Sequence, residues 1–346
     1  MTAWIINDFG GPDVFEPHER PVPEIGAGEV LVNVHATSVN PVDYKIRRGD
    51  AEPLCPPHPA TLHGDVAGIV EAVGEDVTAF DKGDAVYGCA GGFQNAPHGA
   101  LADYMPCDAR LLAPMPEPLS FREAAALPLV TLTAWEALID KADVQAEDGV
   151  LVHGATGGVG HVGIQFAKWR GAEVAVTASA QRKLDIGVDL GADHQINYEE
   201  EPVEDYVERC SDGRGFDVVF DTVAGENVRT SVSATRLNGQ LATVGAPAEG
   251  GLRPAYGSGL SVHFVSMLIP MLYGEGRARH GDILRQAATL VEDGDLCPLV
   301  DEEAFTFDEI GQAHAYAEAG EQIGKVVVTH PDAQPEGSGR PPSAFH

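Results

Sequence analysis

One segment limits what this chain can fold into more than any other. Val150-Leu-Val-His-Gly-Ala-Thr-Gly-Gly-Val-Gly160 runs straight into His161-Val-Gly-Ile-Gln-Phe-Ala-Lys168. Its apolar start reads as a strand, its middle as a glycine-rich turn and its end as a helix. A second apolar run, Glu173-Val-Ala-Val-Thr177, follows in step. Strand, turn, helix and strand in that order make a βαβ unit, whose two strands must be parallel. The turn glycines let the backbone come close to a ligand, and the helix N-terminus offers free N–H groups and the positive end of its dipole. The segment reads as a cradle for a pyrophosphate. Its spacing, Gly154-x-x-Gly157-Gly158-x-Gly160, departs from plain Gly-x-Gly-x-x-Gly, so the place of the glycines between strand and helix carries the reading.

Phe216-Asp-Val-Val-Phe220 and Gln240-Leu-Ala-Thr-Val244 continue the alternation. Residues 126–265 are therefore expected to form an α/β Rossmann domain, a doubly wound parallel sheet. Residues 1–125 have another texture. Short runs such as Glu29-Val-Leu-Val-Asn-Val-His35 and Gly68-Ile-Val-Glu-Ala-Val73 are broken by Gly and Pro, which predicts a mainly β domain. From about 280 two helical patterns follow, with strands near 299–305 and 324–329. Beyond Pro331 apolar periodicity ends, and 331–346 is expected to be a mobile tail.

The chain has 346 residues, enough for about two domains. Asp plus Glu number 53 against 22 Lys plus Arg, a formal net charge of −31. Only Lys45, Lys82, Lys141, Lys168, Lys183 and Lys325 are lysines, and residues 1–125 hold 19 of the acids. The acid is thus spread over the whole chain. Nucleic acid and anionic membranes need clustered cations and are disfavoured as partners. The acidic, lysine-poor balance resembles that of proteins from salt-accumulating, halophilic cytoplasm. No apolar run reaches the ~18 residues of a membrane span, and the first residues do not look like a signal peptide. A soluble, cytoplasmic protein is expected. Cys55, Cys89, Cys107, Cys210 and Cys297 lie far apart without a Cys-x-x-Cys, which argues against a disulfide framework or a thiolate zinc cluster.

The second βαβ strand ends at Ala178-Ser179. A site for NADH usually carries an acid here, about 20 residues past the glycines, to bond the ribose 2′-hydroxyl. Ser179 with Arg182 and Lys183 suits a 2′-phosphate instead, because cations and a hydroxyl attract it and a carboxylate would repel it. NADPH is the expected cofactor. The bland alternative is that Arg182 and Lys183 only solvate a helix start.

The whole pattern resembles the zinc-independent quinone oxidoreductase branch of the medium-chain dehydrogenase/reductase superfamily. The resemblance rests on Phe9-Gly-Gly-Pro-Asp-Val14, Gly28-Glu-Val-Leu-Val-Asn-Val-His-Ala36, Ser38-Val-Asn-Pro-Val-Asp43 and Gly64-Asp-Val-Ala-Gly-Ile-Val-Glu-Ala-Val-Gly74. Leu132-Thr-Ala-Trp-Glu-Ala-Leu138, the glycine loop, Leu190-Gly-Ala-Asp193 and Gly324-Lys-Val-Val-Val328 complete it. It spans about 1–330. It implies a GroES-like catalytic domain from 1–125 and 266–330, the Rossmann domain between them, and a nicotinamide held in the cleft. By match it implies cofactor contacts from Gly154, Thr156, Gly157, Gly158 and Val159, from Thr133 on the nicotinamide side, and from Tyr198 near the 2′-phosphate. Val244 and Gly245 end a strand facing the cofactor, and Lys325 closes the cleft.

Zinc-dependent members of the superfamily carry Cys where this chain has Asn40, and Gly-His-Glu where it has His63-Gly64-Asp65. Catalytic zinc needs three side-chain ligands, so no metal site is expected, and His63 reads as a loop histidine bonding backbone. Without a Lewis acid, hydride delivery to a quinone or an α,β-unsaturated carbonyl is favoured over alcohol oxidation. The resemblance implies a place for Asn40 beside the substrate oxygen, with Tyr44 or Lys45 as proton donor. Loop packing and a solvated cation are the plain alternatives for those two. A nucleotide-binding accessory protein without turnover remains open, and a zinc alcohol dehydrogenase is disfavoured. A homodimer is expected, joined through the Rossmann domains, because Ser261-Val-His-Phe-Val-Ser-Met-Leu-Ile-Pro-Met-Leu272 would otherwise expose an apolar stretch.

Overall fold

The computed structural model describes residues 1–250 and 252–332, so the tail reading for 331–346 falls almost wholly outside the described residues. The chain divides into two compact units. One holds Met1–Leu129, Leu268–Gly294 and, of the described residues, 298–332; the other holds Val130–Met267 and Asp295–Cys297.

The second unit is built on six parallel strands. Across the sheet they run His194–Asn197, Glu173–Ala178, Gly149–His153, Phe216–Asp221, Thr235–Thr243 and Ser261–Phe264. Numbered along the chain this is the Rossmann order 3-2-1-4-5-6, with its switch point between Gly149–His153 and Phe216–Asp221. Both strands at that point are buried along nearly their whole length, as expected where helices cover both faces. Leu151, Ile196, Phe216, Val219 and Leu241 of the sheet pack with Tyr206, Val228 and Val232 of the helices Val203–Ser211 and Asn227–Ala234. The strand expected at 240–244 starts earlier, at Thr235.

The first unit is dominated by a seven-stranded, largely antiparallel sheet. Its order is Phe305–Thr306, Val327–Thr329, Glu29–Ser38, Asp65–Val73, Ala85–Cys89 and Leu112–Pro114, with Tyr104–Asp108 also paired to Glu29–Ser38. Thr2–Ile6 and Phe15–Glu19 form a separate antiparallel pair. Two register shifts between Glu29–Ser38 and Asp65–Val73 bend the sheet, as an extra residue in one strand does. The late strand Val327–Thr329 pairs antiparallel to Glu29–Ser38, with Val327 opposite Ser38. The Val39 amide donates to Val326 O at 2.9 Å, so the same register carried on sets Lys325 opposite Asn40. The strand ends at Ser38, and Asn40 is the N-cap of the helix Pro41–Arg48, which Pro41 starts. Proline is suited to that first position because its missing N–H would have no partner there.

Candidate functional site

The glycine-rich loop sits at the C-terminal end of Gly149–His153, where the helix Gly158–Trp169 begins with Gly157 as its N-cap. Gly154 adopts φ +80°, a region that L side chains avoid. A Cβ at Gly160 would lie 2.0 Å from the Gly154 carbonyl oxygen, so the turn closes only on glycine. The first helical amides have no intrahelical acceptor and point their N–H groups outward. Thr222 Oγ1 donates to His153 O at 2.6 Å, and the Asp221 carboxylate accepts from the amides of Val223 and Ala224, which ties the two switch-point strand ends into shape.

Thr156 is buried in the loop, while Gly157 is exposed and Gly158 and Val159 are half-buried. Ser179 follows the end of Glu173–Ala178, and the helix Gln181–Asp189 carries exposed Arg182 and half-buried Lys183 in its first turn. The Tyr198 amide donates to Ala178 O, which puts Tyr198, an exposed residue, at the same end of the sheet as Ser179. Val244 and Gly245 follow the strand Thr235–Thr243, next to the end of Phe216–Asp221. Thr133 lies buried in the helix Pro128–Trp135. The residue types present match NADPH: open helix amides that could take a pyrophosphate, and at Ser179, Arg182 and Lys183 a hydroxyl and two cations that could take a 2′-phosphate.

In the first unit Asn40 is the centre of a buried polar set. Its Oδ1 accepts from Lys325 Nζ at 2.5 Å, and its Nδ2 donates to Asp65 Oδ2 at 2.7 Å. Lys325 also donates to Val39 O at 2.8 Å. Asp65 accepts from Ser38 Oγ at 2.7 Å and, on its other oxygen, from the Leu129 amide at 2.8 Å. Asp43, three residues into the helix that Asn40 starts, accepts from the Asn40 amide at 2.7 Å. Burial pushes the Asp43 carboxyl up to about 7, with the Asp65 charge adding to the rise. Burial lowers the Lys325 ammonium, against the pull of Asp65 and Asp43.

Tyr44 and Lys45 are not drawn into this set. Tyr44 is half-buried on the helix, with the Arg48 guanidinium 5.7 Å from its ring, and Lys45 is exposed. Lys325 is engaged with Asn40 and Val39, inside its own unit. The His63 ring, expected to bond backbone, instead bonds the side chains of Thr37 and His314. Sequence reasoning missed Ser38, Asp43, Asp65 and His314. Asp43 had a local signal, since Asn-x-x-Asp before an amphipathic run is a capping pattern. The others depend on contacts far apart in the chain.

Zinc does not fit this set. Asn40 offers a neutral amide, Gly64 offers no side chain, and an ammonium already occupies the space a cation would need beside Asp65, 3.9 Å away. Among the described residues no group of three or more His, Cys, Asp or Glu is placed to hold a metal ion, and no helix is long and apolar enough to cross a membrane.

Two family patterns match the sequence: that of the zinc-binding dehydrogenases over residues 190–328, and that of the alcohol dehydrogenase GroES-like domain over 26–117. The chain is 35% identical over 341 residues to the 2-methylene-furan-3-one reductase of Solanum lycopersicum, covering 96% of this chain and 79% of that one. It is 34% identical over 338 residues to the chloroplastic NADPH-dependent alkenal/one oxidoreductase of Arabidopsis thaliana, covering 95% and 79%. Among solved structures, an alcohol dehydrogenase superfamily protein from Novosphingobium aromaticivorans aligns with a TM-score of 0.90 and 38% identity, covering 95% and 99%.

Proposed function

The chain belongs to the medium-chain dehydrogenase/reductase superfamily, and from that premise we propose that it reduces quinones or α,β-unsaturated carbonyls with NADPH and without a catalytic metal. One observation carries the reading: a neutral amide, Asn40, is locked between an ammonium and a carboxylate where zinc-dependent members place a thiolate. An amide cannot ionise an alcohol as a Lewis acid does, but it can donate to an oxygen that gains negative charge.

Gly154, Thr156, Gly157, Gly158 and Val159 would hold the pyrophosphate, with Ser179, Arg182 and Lys183 on the 2′-phosphate, Tyr198 beside it, and Thr133, Val244 and Gly245 on the nicotinamide side. The bound cofactor supplies a hydride. Asn40 orients the substrate carbonyl and donates to its oxygen as the conjugated system takes up charge. The proton that completes the reduction comes from Tyr44 or Lys45, one turn along the helix that Asn40 begins, or from water.

A homodimer joined through the parallel sheets belongs to the same reading. Ser261–Phe264 ends its sheet with a ladder partner on one side, and Phe264, Leu237 and Tyr256 are exposed nearby. An open edge with apolar neighbours suits pairing with a second copy. The acidic surface suits a protein of salt-rich cytoplasm.

The test is loss of NADPH absorbance with benzoquinone and with methyl vinyl ketone as acceptors. Turnover with either, faster with NADPH than with NADH, supports the reading. Nucleotide binding without turnover on both would favour an accessory protein. Metal-dependent alcohol oxidation would favour the zinc type.

A further inference from the structure

Two of the glycines that the NADPH reading uses, Gly154 and Gly245, have the same turn standing on them. A Cβ on Gly154 would lie 3.0 Å from Thr222 Oγ1, and a Cβ on Gly245 would lie 2.8 Å from the Ala224 Cβ. Thr222 and Ala224 thus fill the space that side chains on the two glycines would take. Their turn follows Phe216–Asp221, a strand at the switch point of the sheet. On one side Thr222 Oγ1 donates to His153 O at 2.6 Å. On the other the Gly225 amide donates to Ala246 O at 3.2 Å, and the Ala248 amide donates to Gly225 O at 3.1 Å. Asp221 holds the turn itself. Its Oδ1 accepts from the Val223 amide at 3.0 Å, the Ala224 amide at 2.9 Å and Asn227 Nδ2 at 3.0 Å.

Ala224 has φ +64°, in the left-handed region where glycine is the ordinary residue and a Cβ is penalised. Such a conformation persists only where the surroundings fix it, as the bonds to Asp221 do. The methyl group kept at that cost is the one that stands against Gly245. We propose that Ala224 is a spacer, held by Asp221 and Thr222, which fixes the distance between the glycine loop and the strand end at Val244 and Gly245. All three are positioning residues, and none of them has to touch the cofactor. The proposal rests on the NADPH reading, in which the loop takes the pyrophosphate and Val244 and Gly245 lie on the nicotinamide side. A ligand that spans both contacts has to match their separation, and a misfit is lost as affinity. A ligand that uses the loop alone is indifferent to it.

The test is a binding titration of the full chain with two ligands, NADPH and adenosine 2′,5′-bisphosphate, which carries the 2′-phosphate but no nicotinamide. A wild type that binds neither overturns the NADPH reading before any variant is made. Given binding, G245A sets a methyl group against that of Ala224 and should weaken NADPH about tenfold or more, with the bisphosphate within about twofold of wild type. A224G removes the spacer and should weaken NADPH about threefold or more. Its melting temperature should be no lower than that of the wild type, since glycine suits φ +64°. In G245A/A224G one methyl group again fills the gap, and NADPH affinity should return to within about twofold of wild type. Losses that add in the double variant overturn the proposal, as does wild-type NADPH affinity in both single variants. T222V keeps the shape of the turn, removes its bond to His153 O and serves where G245A fails to fold. Weaker NADPH with unchanged bisphosphate supports the spacer there, and equal loss of both ligands, or no loss, overturns it.

Discussion

His63 and His314 share one hydrogen bond between their Nε2 atoms, 2.8 Å long, across 251 positions of sequence. The protons in that bond can be assigned. Thr37 Oγ1 donates to Asp65 O at 2.6 Å, so it must accept from His63 Nδ1 at 3.2 Å. That leaves His63 Nε2 as acceptor and His314 Nε2 as donor, with both rings neutral. Burial, and then the nearby Lys325, lowers His63 to about 3; burial, His63 and Arg47 hold His314 well below its ordinary value.

Acid should therefore weaken the fold through this pair. Both histidines have folded pKa values below the unfolded one, so the unfolded chain takes up protons first as pH falls below about 6.5. The contribution is present above that pH and is lost towards about 3. His314→Leu leaves a buried acceptor unpaired and should cost about 1–3 kcal/mol at neutral pH. Melts from about pH 7 to about pH 4 check this. The wild type should lose stability more steeply than H314L, and parallel slopes would contradict the assignment.

Gly160→Ala tests the nucleotide loop. A Cβ there would stand 2.0 Å from Gly154 O, a backbone atom that cannot swing aside. The turn must open, and NADPH affinity should fall about tenfold or more, ~1.4 kcal/mol or above. A fluorescence titration that gives wild-type affinity would take the pyrophosphate away from this loop.

What could be read from the sequence divides by contact range. The strand at Gly149–His153 and the helix after it are local, since apolar runs and glycine spacing fix them within twenty residues or so. The parallel sheet follows from repeating that unit. The Asn40 set is different. Nothing near Asn40 announces Lys325, which arrives through the register of Val327 on Ser38. The one hint is a lysine heading the apolar run Val326–Val328 in a chain with six lysines. The partner of His63 is equally hidden, because His314 lies 251 positions away on an alanine-rich helix with no signal that points to it. Tyr44 and Lys45 show the reverse relation, since closeness in sequence to Asn40 does not place their side chains in its hydrogen-bonded set.

Cofactor choice should rest on Lys183 more than on any apolar contact. Its place in the first turn after Ser179 suits a charge-assisted bond to a 2′-phosphate. Lys183→Glu should weaken NADPH by about 1.5–3 kcal/mol and leave NADH nearly unchanged. Equal loss with both cofactors, measured as KM under saturating acceptor, would sink the assignment.

Asp43 sets a trend opposite to that of the histidines. Burial raises its carboxyl from 3.8 to about 7. The folded protein therefore keeps a proton that the unfolded chain releases near pH 4, and stability falls as pH rises between those values. Asp43→Asn retains an acceptor for the Asn40 amide but cannot ionise. Urea unfolding should show D43N losing less stability than the wild type from about pH 5 to about pH 8. Equal losses would show that Asp43 is ionised throughout.

Salt should matter more than any single side chain. The net charge is −31, and several surface cations are already spent in local pairs: Arg48 with Asp50, Lys82 with Glu71, Lys168 with Asp193, Arg209 with Glu201, Arg285 with Asp282. Such exposed pairs contribute little each, about 0–1 kcal/mol, and leave the excess carboxylates uncancelled. Dilution lengthens the screening distance from ~3 Å at 1 M to ~30 Å at 0.01 M, so carboxylates far apart on a unit begin to repel one another. Melting temperature and NADPH turnover should both fall as KCl is lowered from about 2 M to about 0.05 M. NADPH should recover part of the loss, because it binds the folded chain and stabilises it by mass action. A melting temperature that is unchanged or higher in dilute buffer would show that the acidic surface is not an adaptation to salt.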